Sequence, residues 1–183
     1  RKAAPKLETL VRSHLSDLGF AQAGFSIAFE DLADPSPEGY EHIEFLFSPN
    51  PGEPERPLRA IASSGEISRV MLALKTSLAA QDSVPILIFD EIDANVGGEI
   101  GAKVGLKMKE LSTNHQVFCI THLPQVAASA ESQFIVSKES DGTRTRTLLE
   151  GTHAAGRIIE IARMLGGPAD TAKKHARTLL GLK

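Results

Sequence analysis

The sequence holds a single cysteine, Cys119, in 183 residues. One thiol excludes an internal disulfide framework and fits a reducing cytosol. There is no run of about 18 apolar residues, the length a membrane-spanning helix needs, and no basic-plus-apolar leader. Neither membrane spanning nor secretion is therefore expected. Positive charge is not in excess: 20 Lys and Arg stand against 23 Asp and Glu, a formal net charge of −3. That excludes a basic coat, so any contact with nucleic acid would come from a local patch. Internal repeats and low-complexity tracts are missing too. What is present is a chain that is 42% hydrophobic, enough for one sizeable core or a core with a protruding element.

The first residues, RKAAPKLETLVRSHL, start abruptly in a helical pattern, as expected of a chain cut from something longer. Leu7, Leu10, Val11, Leu15 and Leu18 recur at helical spacing up to Gly19, which suits the stub of a coiled coil and a core-facing helix equally. Ala23, Phe25, Ile27 and Phe29 alternate with smaller residues, and Ile43, Phe45 and Phe47 alternate again after a turn-rich stretch. Together they predict a hairpin. The stretch 48–57, SPNPGEPERP, has four prolines and a glycine and reads as a stiff exposed loop. VPILIFDE is a continuous apolar run closed by two acids, which suits a strand buried on both faces of a parallel sheet. Ile100, Val104, Met108 and Leu111 mark a helix and QVFCITH a second buried strand, so the middle of the chain is βαβ-like. A hairpin around Asp141-Gly142 follows. GRIIEIARMLGG is a helix stopped by Gly166, Gly167 and Pro168, and a last helix over 169–180 carries Lys173, Lys174, His175 and Arg177.

Several residues could carry chemistry. In IASSGEISRVMLALK, Ser63 and Glu66 have the spacing of a capping box, yet a Ser-Gly helix start is also a ready anion site. The local sequence leaves that choice open. Asp90 and Glu91 end the strongest apolar strand, where an open parallel sheet binds its ligands. One acid there can hold Mg²⁺ and its neighbour can orient or deprotonate a water; the plainer reading is a solvated acidic turn. His122 ends the second strand and could donate to a terminal phosphate oxygen, although a lone histidine in such a place is commonly structural. Three polar residues ending two consecutive core strands, after a Ser-Gly helix start, weigh against accident. Arg69 reads as a structural companion of its helix rather than a catalytic group. Cys119, within a strand, reads as an inert small hydrophobe. Arg144, Arg146, Lys173, Lys174, Arg177 and Lys183 could touch DNA phosphates, with a solvated charged face as the plainer alternative.

The ordered set SSGEISR, ILIFDE, ANVG and ITH resembles the signature motif, Walker B, D-loop and H-loop of an ABC-type ATPase head. EFLFSPNPGEPERPL, THLPQVAA and EIARMLGG narrow the resemblance to an SMC-like family acting in bacterial recombinational repair, and it covers almost the whole chain. The resemblance implies an α/β fold in which 20–183 form the C-terminal half of an ABC-type P-loop ATPase head. Parallel core strands would be flanked by helices, with β-hairpins, after a helix over 1–19. It implies ATP and Mg²⁺ as ligands, with Asp90 reaching Mg²⁺ mainly through water, Glu91 as catalytic base and His122 as γ-phosphate sensor. Ser63, Ser64, Gly65 and Glu66 would act in trans, on ATP held by an opposite head. Ala94, Asn95, Val96 and Gly97 would cross between heads as the D-loop. The implied partners are the N-terminal half of the same protein, a second head in an ATP-bound homodimer, and DNA at double-strand ends. The implied place is the cytoplasm, at the nucleoid and away from membranes. The implied function is an ATP-hydrolysing head in double-strand-break repair. The alternatives are a non-hydrolysing clamp on DNA or a partner, and the nucleotide-binding domain of another ABC ATPase.

Three departures from the pattern stand out. Ser64 occupies a position where the family usually has glycine, which is tolerable at negative φ and strained at positive φ. Gly97 stands where the D-loop commonly has aspartate, with Asp93 nearby. No G-x-x-x-x-G-K-[ST] occurs, so nothing in the chain can wrap β- and γ-phosphates in a P-loop. The resemblance places that motif in an N-terminal half, across a long antiparallel coiled coil, and implies that this chain is half of a composite head.

Overall fold

A computed structural model describes residues 1–37 and 39–182; Glu38 and Lys183, the latter one of the basic residues named above, lie outside the described residues. The chain forms two compact units, Arg1–Ile120 and Thr121–Lys183.

In the first unit, helix α1 (Ala4–Asp17) begins with proline in its first turn, where the missing N–H costs nothing. It buries Val11 and Leu15 completely, with Leu18 just beyond it, while Leu10 stays 40% exposed. Strands β1 (Gly24–Ser36) and β2 (Gly39–Ser48) form the expected antiparallel hairpin, longer than the alternation suggested. Phe25 and Phe47 are cross-strand partners and both are buried; the Phe20 ring meets Phe47 edge-on at 5.3 Å. The proline-rich stretch departs from a pure loop. Arg56–Pro57 form a short strand β3 on β2, and an edge strand accepts a proline because it needs no outward donor.

Helix α2 (Ser64–Leu78) turns Val70, Leu72, Ala73 and Leu74 inward. Strand β4 (Ile86–Phe89), helix α3 (Gly98–Leu111) and strand β5 (Gln116–Cys119) make the predicted βαβ unit. β4 and β5 run parallel, from Ile86↔Gln116 to Phe89↔Cys119, so their carboxyl ends lie side by side. The expectation of burial on both faces does not hold within the chain. Leu87 and Phe89 are buried, but Ile86, Ile88, Phe118 and Ile120 are 46–69% exposed. Helices of this unit cover one face of a two-stranded sheet, and alternation of side chains leaves the other face apolar and open.

The second unit contains helix α4 (Pro124–Ser129), strands β6 (Gln133–Ser140) and β7 (Thr145–Thr152), and helices α5 (Ala155–Met164) and α6 (Asp170–Leu179). Ala127, Ile161, Ala162 and Ala176 form its core. The expected hairpin closes through Asp141, whose Oδ1 accepts from the N–H groups of Thr143 and Arg144 at 2.9 and 2.8 Å. Gly166 and Gly167, both at positive φ, end α5 as expected. Helix α4 was not expected. No helix among the described residues is long and apolar enough to cross a membrane.

The docking of α1 on α3 carries a pH dependence. Lys107 Nζ donates to His14 Nδ1 at 2.8 Å. Burial, and then the neighbouring ammonium, hold the imidazole pKa below its ordinary value, against smaller opposing pulls from Glu110 and Asp17. The unfolded chain therefore binds a proton that the native state resists, and stability falls as pH drops through the unfolded imidazole range, near about 6.5. The urea midpoint should fall between about pH 8 and about pH 5.5, and His14→Gln should flatten that part of the dependence. An equally steep fall in the variant would remove His14 as the cause.

Candidate functional site

The start of α2 is built as a cap. Ser63 is extended, at φ −87° and ψ 116°, and its Oγ accepts from the Glu66 N–H at 3.4 Å. By position, the N–H groups of Ser64 and Gly65 have no intrahelical acceptor, and they lie at the positive end of the helix dipole. Ser64 is helical and absent from the positive-φ residues, which among the described non-glycines are Glu91, Asn95 and Ala154. Serine in place of glycine is thus unstrained here.

The same helix turn rests on the loop after β4. A Cβ on Gly65 would lie 2.9 Å from Ala94 Cβ, 3.1 Å from the Ala94 carbonyl oxygen and 3.1 Å from that of Glu91. Only glycine permits this approach. Around it, Ser68 Oγ donates to the Asp90 carbonyl at 2.9 Å, and the Ser64 hydroxyl donates to Glu91 Oε2. Arg69 donates from one guanidinium nitrogen to the carbonyls of Ile92 and Ala94 at 3.2 and 3.1 Å. It is only 6% exposed, and its guanidinium stacks over Phe20 at 4.9 Å from the ring centre. Burial lowers its pKa, partly offset by Glu66.

Within the loop, the Glu91 N–H donates to Asp90 Oδ1 at 2.9 Å and the Ala94 N–H to the Glu91 carbonyl at 3.0 Å. Glu91 sits at φ 55° and Asn95 at φ 60°. Asp90 and Glu91 are both exposed at the carboxyl end of β4. Asp93 is only 2% exposed, so it does not take the outward place of the D-loop aspartate. Gly97 caps α3 at φ −85° and ψ 173°, and a Cβ there would meet nothing within 4 Å. Burial above all, and then the charges of Asp93 and Asp90, push the Cys119 thiol up to about 12, which keeps it protonated and inert. The described residues hold no cluster of three or more His, Cys, Asp or Glu around a metal position. Asp90, with one oxygen already accepting from Glu91, suits a hydrated divalent cation that takes its other ligands elsewhere.

The first unit thus brings together Ser63, Ser64, Gly65, Glu66, Asp90, Glu91 and the loop 94–97. His122 belongs to the second unit, where it is exposed and lies two residues before Pro124 opens α4. There Arg157 fastens the end of α4. Its guanidinium donates to the carbonyls of Ala127, Ala128, Ala130 and Glu131 and, at 3.3 Å, to Gln133 Oε1. Sequence reasoning passed over Ser68 and Arg157. Ser68 carried a usable signal, since it follows Ser64 by one helical turn on the face that meets the loop.

No family model matches the chain. Among curated proteins, the DNA repair protein RecN of Treponema pallidum is 45% identical over 187 residues, covering 97% of this chain and 32% of that protein. RecN of Streptomyces coelicolor is 39% identical over 193 residues, covering 98% and 34%. The chain belongs to the RecN family. It spans about a third of the length of these relatives. Among solved structures, the Smc head domain of Pyrococcus furiosus aligns at TM-score 0.56 and 23% identity, over 79% of this chain and 34% of that one. An SMC ATPase described for ATP-driven dimerisation and DNA-stimulated activation aligns at TM-score 0.52 and 21% identity, over 89% and 93%. The fold is that of an SMC-type, ABC-like α/β head.

Two glycines of this RecN-family site make opposite predictions. Gly65→Ala should destabilise by about 1–3 kcal/mol, because the added methyl is forced onto loop backbone. Gly97→Asp should stabilise by about 0.5–1 kcal/mol, since it adds a capping carboxylate where φ already suits any residue. Urea unfolding of both variants reads the two signs.

Proposed function

We propose that the chain is the C-terminal part of an ATP-hydrolysing SMC-like head that acts in recombinational repair of DNA double-strand breaks. The observation that carries this reading is the close seating of the α2 N-terminus on the loop 90–97. It presents a helix-start anion site, two carboxylates and an exposed crossing loop as one connected piece. RecN relatives and SMC-head neighbours supply the family context.

In this reading Glu91 orients the attacking water and accepts its proton as the terminal phosphoryl group leaves. Asp90 would hold Mg²⁺ mainly through water, and the ion would supply charge neutralisation on the phosphate oxygens. His122 donates to the γ-phosphate. Ser63, Ser64, Gly65 and Glu66 receive the γ-phosphate of ATP held by a second head, and Ala94 to Gly97 cross toward that head. ATP then favours the closed dimer because it is contacted fully only there. DNA ends are the cargo, and the cytoplasmic nucleoid is the place.

The P-loop comes from an N-terminal half of the same protein, reached through a coiled coil of which α1 is the returning root. The open apolar face of Ile86, Ile88, Phe118 and Ile120 supports that partner. Parallel strands are stable with both faces covered, and two strands alone make too small a sheet. The chain alone should therefore show no ATP turnover, and addition of the N-terminal half should restore it. Robust turnover by the chain alone overturns the composite head. In the complete protein, Glu91→Gln should abolish turnover while leaving an ATP-bound dimer by size-exclusion chromatography; a variant that stays monomeric with ATP overturns the role of Glu91.

A further inference from the structure

We propose that Ser64 is a positioning residue that restrains Glu91 within its own head until nucleotide-driven dimerisation draws the hydroxyl away. The inference rests on the reading of Glu91 as the general base. Its starting point is a contact inside one chain: the Ser64 hydroxyl donates to Glu91 Oε2. The two serines of the helix start divide their work. Ser63 Oγ is occupied as the cap, accepting from Glu66, while Ser64 directs its hydroxyl at the carboxylate.

The surrounding geometry holds this contact in place. Gly65 seats the helix against the carbonyls of Glu91 and Ala94, and Ser68 pins the Asp90 carbonyl. Glu91 itself is held at φ 55°, with its N–H on Asp90 and its carbonyl on Ala94. A glutamate at positive φ is uncommon and persists where neighbours impose it. Two hydroxyls and one glycine of α2 thus bear on this segment, and the carboxylate lies at the positive end of that helix.

An O–H donor to a carboxylate makes a charge-assisted hydrogen bond. It fixes the oxygen on the helix rather than on a water. A glycine at position 64, which the family pattern usually has, offers no hydroxyl and cannot do this. The restraint is released by competition. An incoming γ-phosphate and the Glu91 carboxylate are both anions, and both seek the same helix start. A phosphate from a second head displaces the carboxylate by charge repulsion and by taking the Ser64 donor. Base release then follows head engagement without any additional moving part.

The test is steady-state ATPase of the complete protein carrying Ser64→Gly, which keeps the backbone N–H groups, and Ser64→Ala, with thermal melting to confirm folding. Turnover without DNA at low protein concentration should rise about 3–10-fold, roughly 0.7–1.4 kcal/mol off the barrier. A purely phosphate-binding serine would lower it instead. The rise should lie in kcat, with KM for ATP unchanged, and Ser64→Thr, which keeps the hydroxyl, should bring kcat back toward wild type. Unchanged or reduced kcat in Ser64→Gly and Ser64→Ala overturns the restraint, while an inactive Glu91→Gln leaves the assignment of Glu91 standing. An active Glu91→Gln overturns both.

Discussion

The seating of the α2 N-terminus against residues 91–94 is the constraint from which the rest of the site follows. A Cβ at position 65 would press on Ala94 Cβ at 2.9 Å and crowd the carbonyls of Ala94 and Glu91 at 3.1 Å, so the helix and the loop approach this closely because Gly65 has no Cβ. Once they touch, the hydroxyls of Ser64 and Ser68 fall on Glu91 and on the Asp90 carbonyl. The helix start and the strand end are thereby fastened to each other. In the function proposed above, that junction matters because slack between a phosphate at the helix and chemistry at the strand would decouple binding from turnover.

Arg69 secures the same junction from below. Burying a guanidinium is costly unless its donors find partners, and here they find two carbonyls of the loop and the face of Phe20. One nitrogen, Nε, is buried without a partner among the described residues, so satisfaction is incomplete. Lysine would not match it, because a planar guanidinium stacks on the aromatic face while one of its nitrogens reaches both carbonyls. The contact runs on from Phe20 to Phe47, which ties the hairpin sheet of the first unit to the loop by aromatic and cationic packing.

Much of this was legible in the sequence because local rules and tertiary structure agree. The Ser63–Glu66 spacing predicted a cap, and the cap is present. The apolar stripe of α3 matches its burial at Val104, Met108 and Leu111, whereas in β2 the alternation holds at Phe47 but leaves Ile43 54% exposed. What escaped has identifiable causes. Helix α4 spans six residues, too few to show a period. Arg69 acts on carbonyls 23 and 25 residues away, a separation that no local pattern encodes. The proline-rich stretch hid β3 because prolines weigh against strands except at an edge. His122 is the instructive remainder. It was expected to end the second strand, but β5 stops at Cys119, three residues before it, and His122 falls in the second unit.

The open face of β4 and β5 shows why a continuous apolar run can mislead about a single chain. Such a run records burial on both sides of a sheet in whatever assembly the sequence was selected for, not in the segment at hand. Leu87 and Phe89 meet that demand within the first unit, while Ile86 and Ile88 do not. Four large apolar side chains exposed together, one of them an aromatic, favour a cover rather than water. Strand β4 itself delivers Asp90 and Glu91 at its carboxyl end. In the proposed composite head, a partner that covers the face would also fix the platform on which the carboxylates stand, so completing the fold and completing the site would be one event.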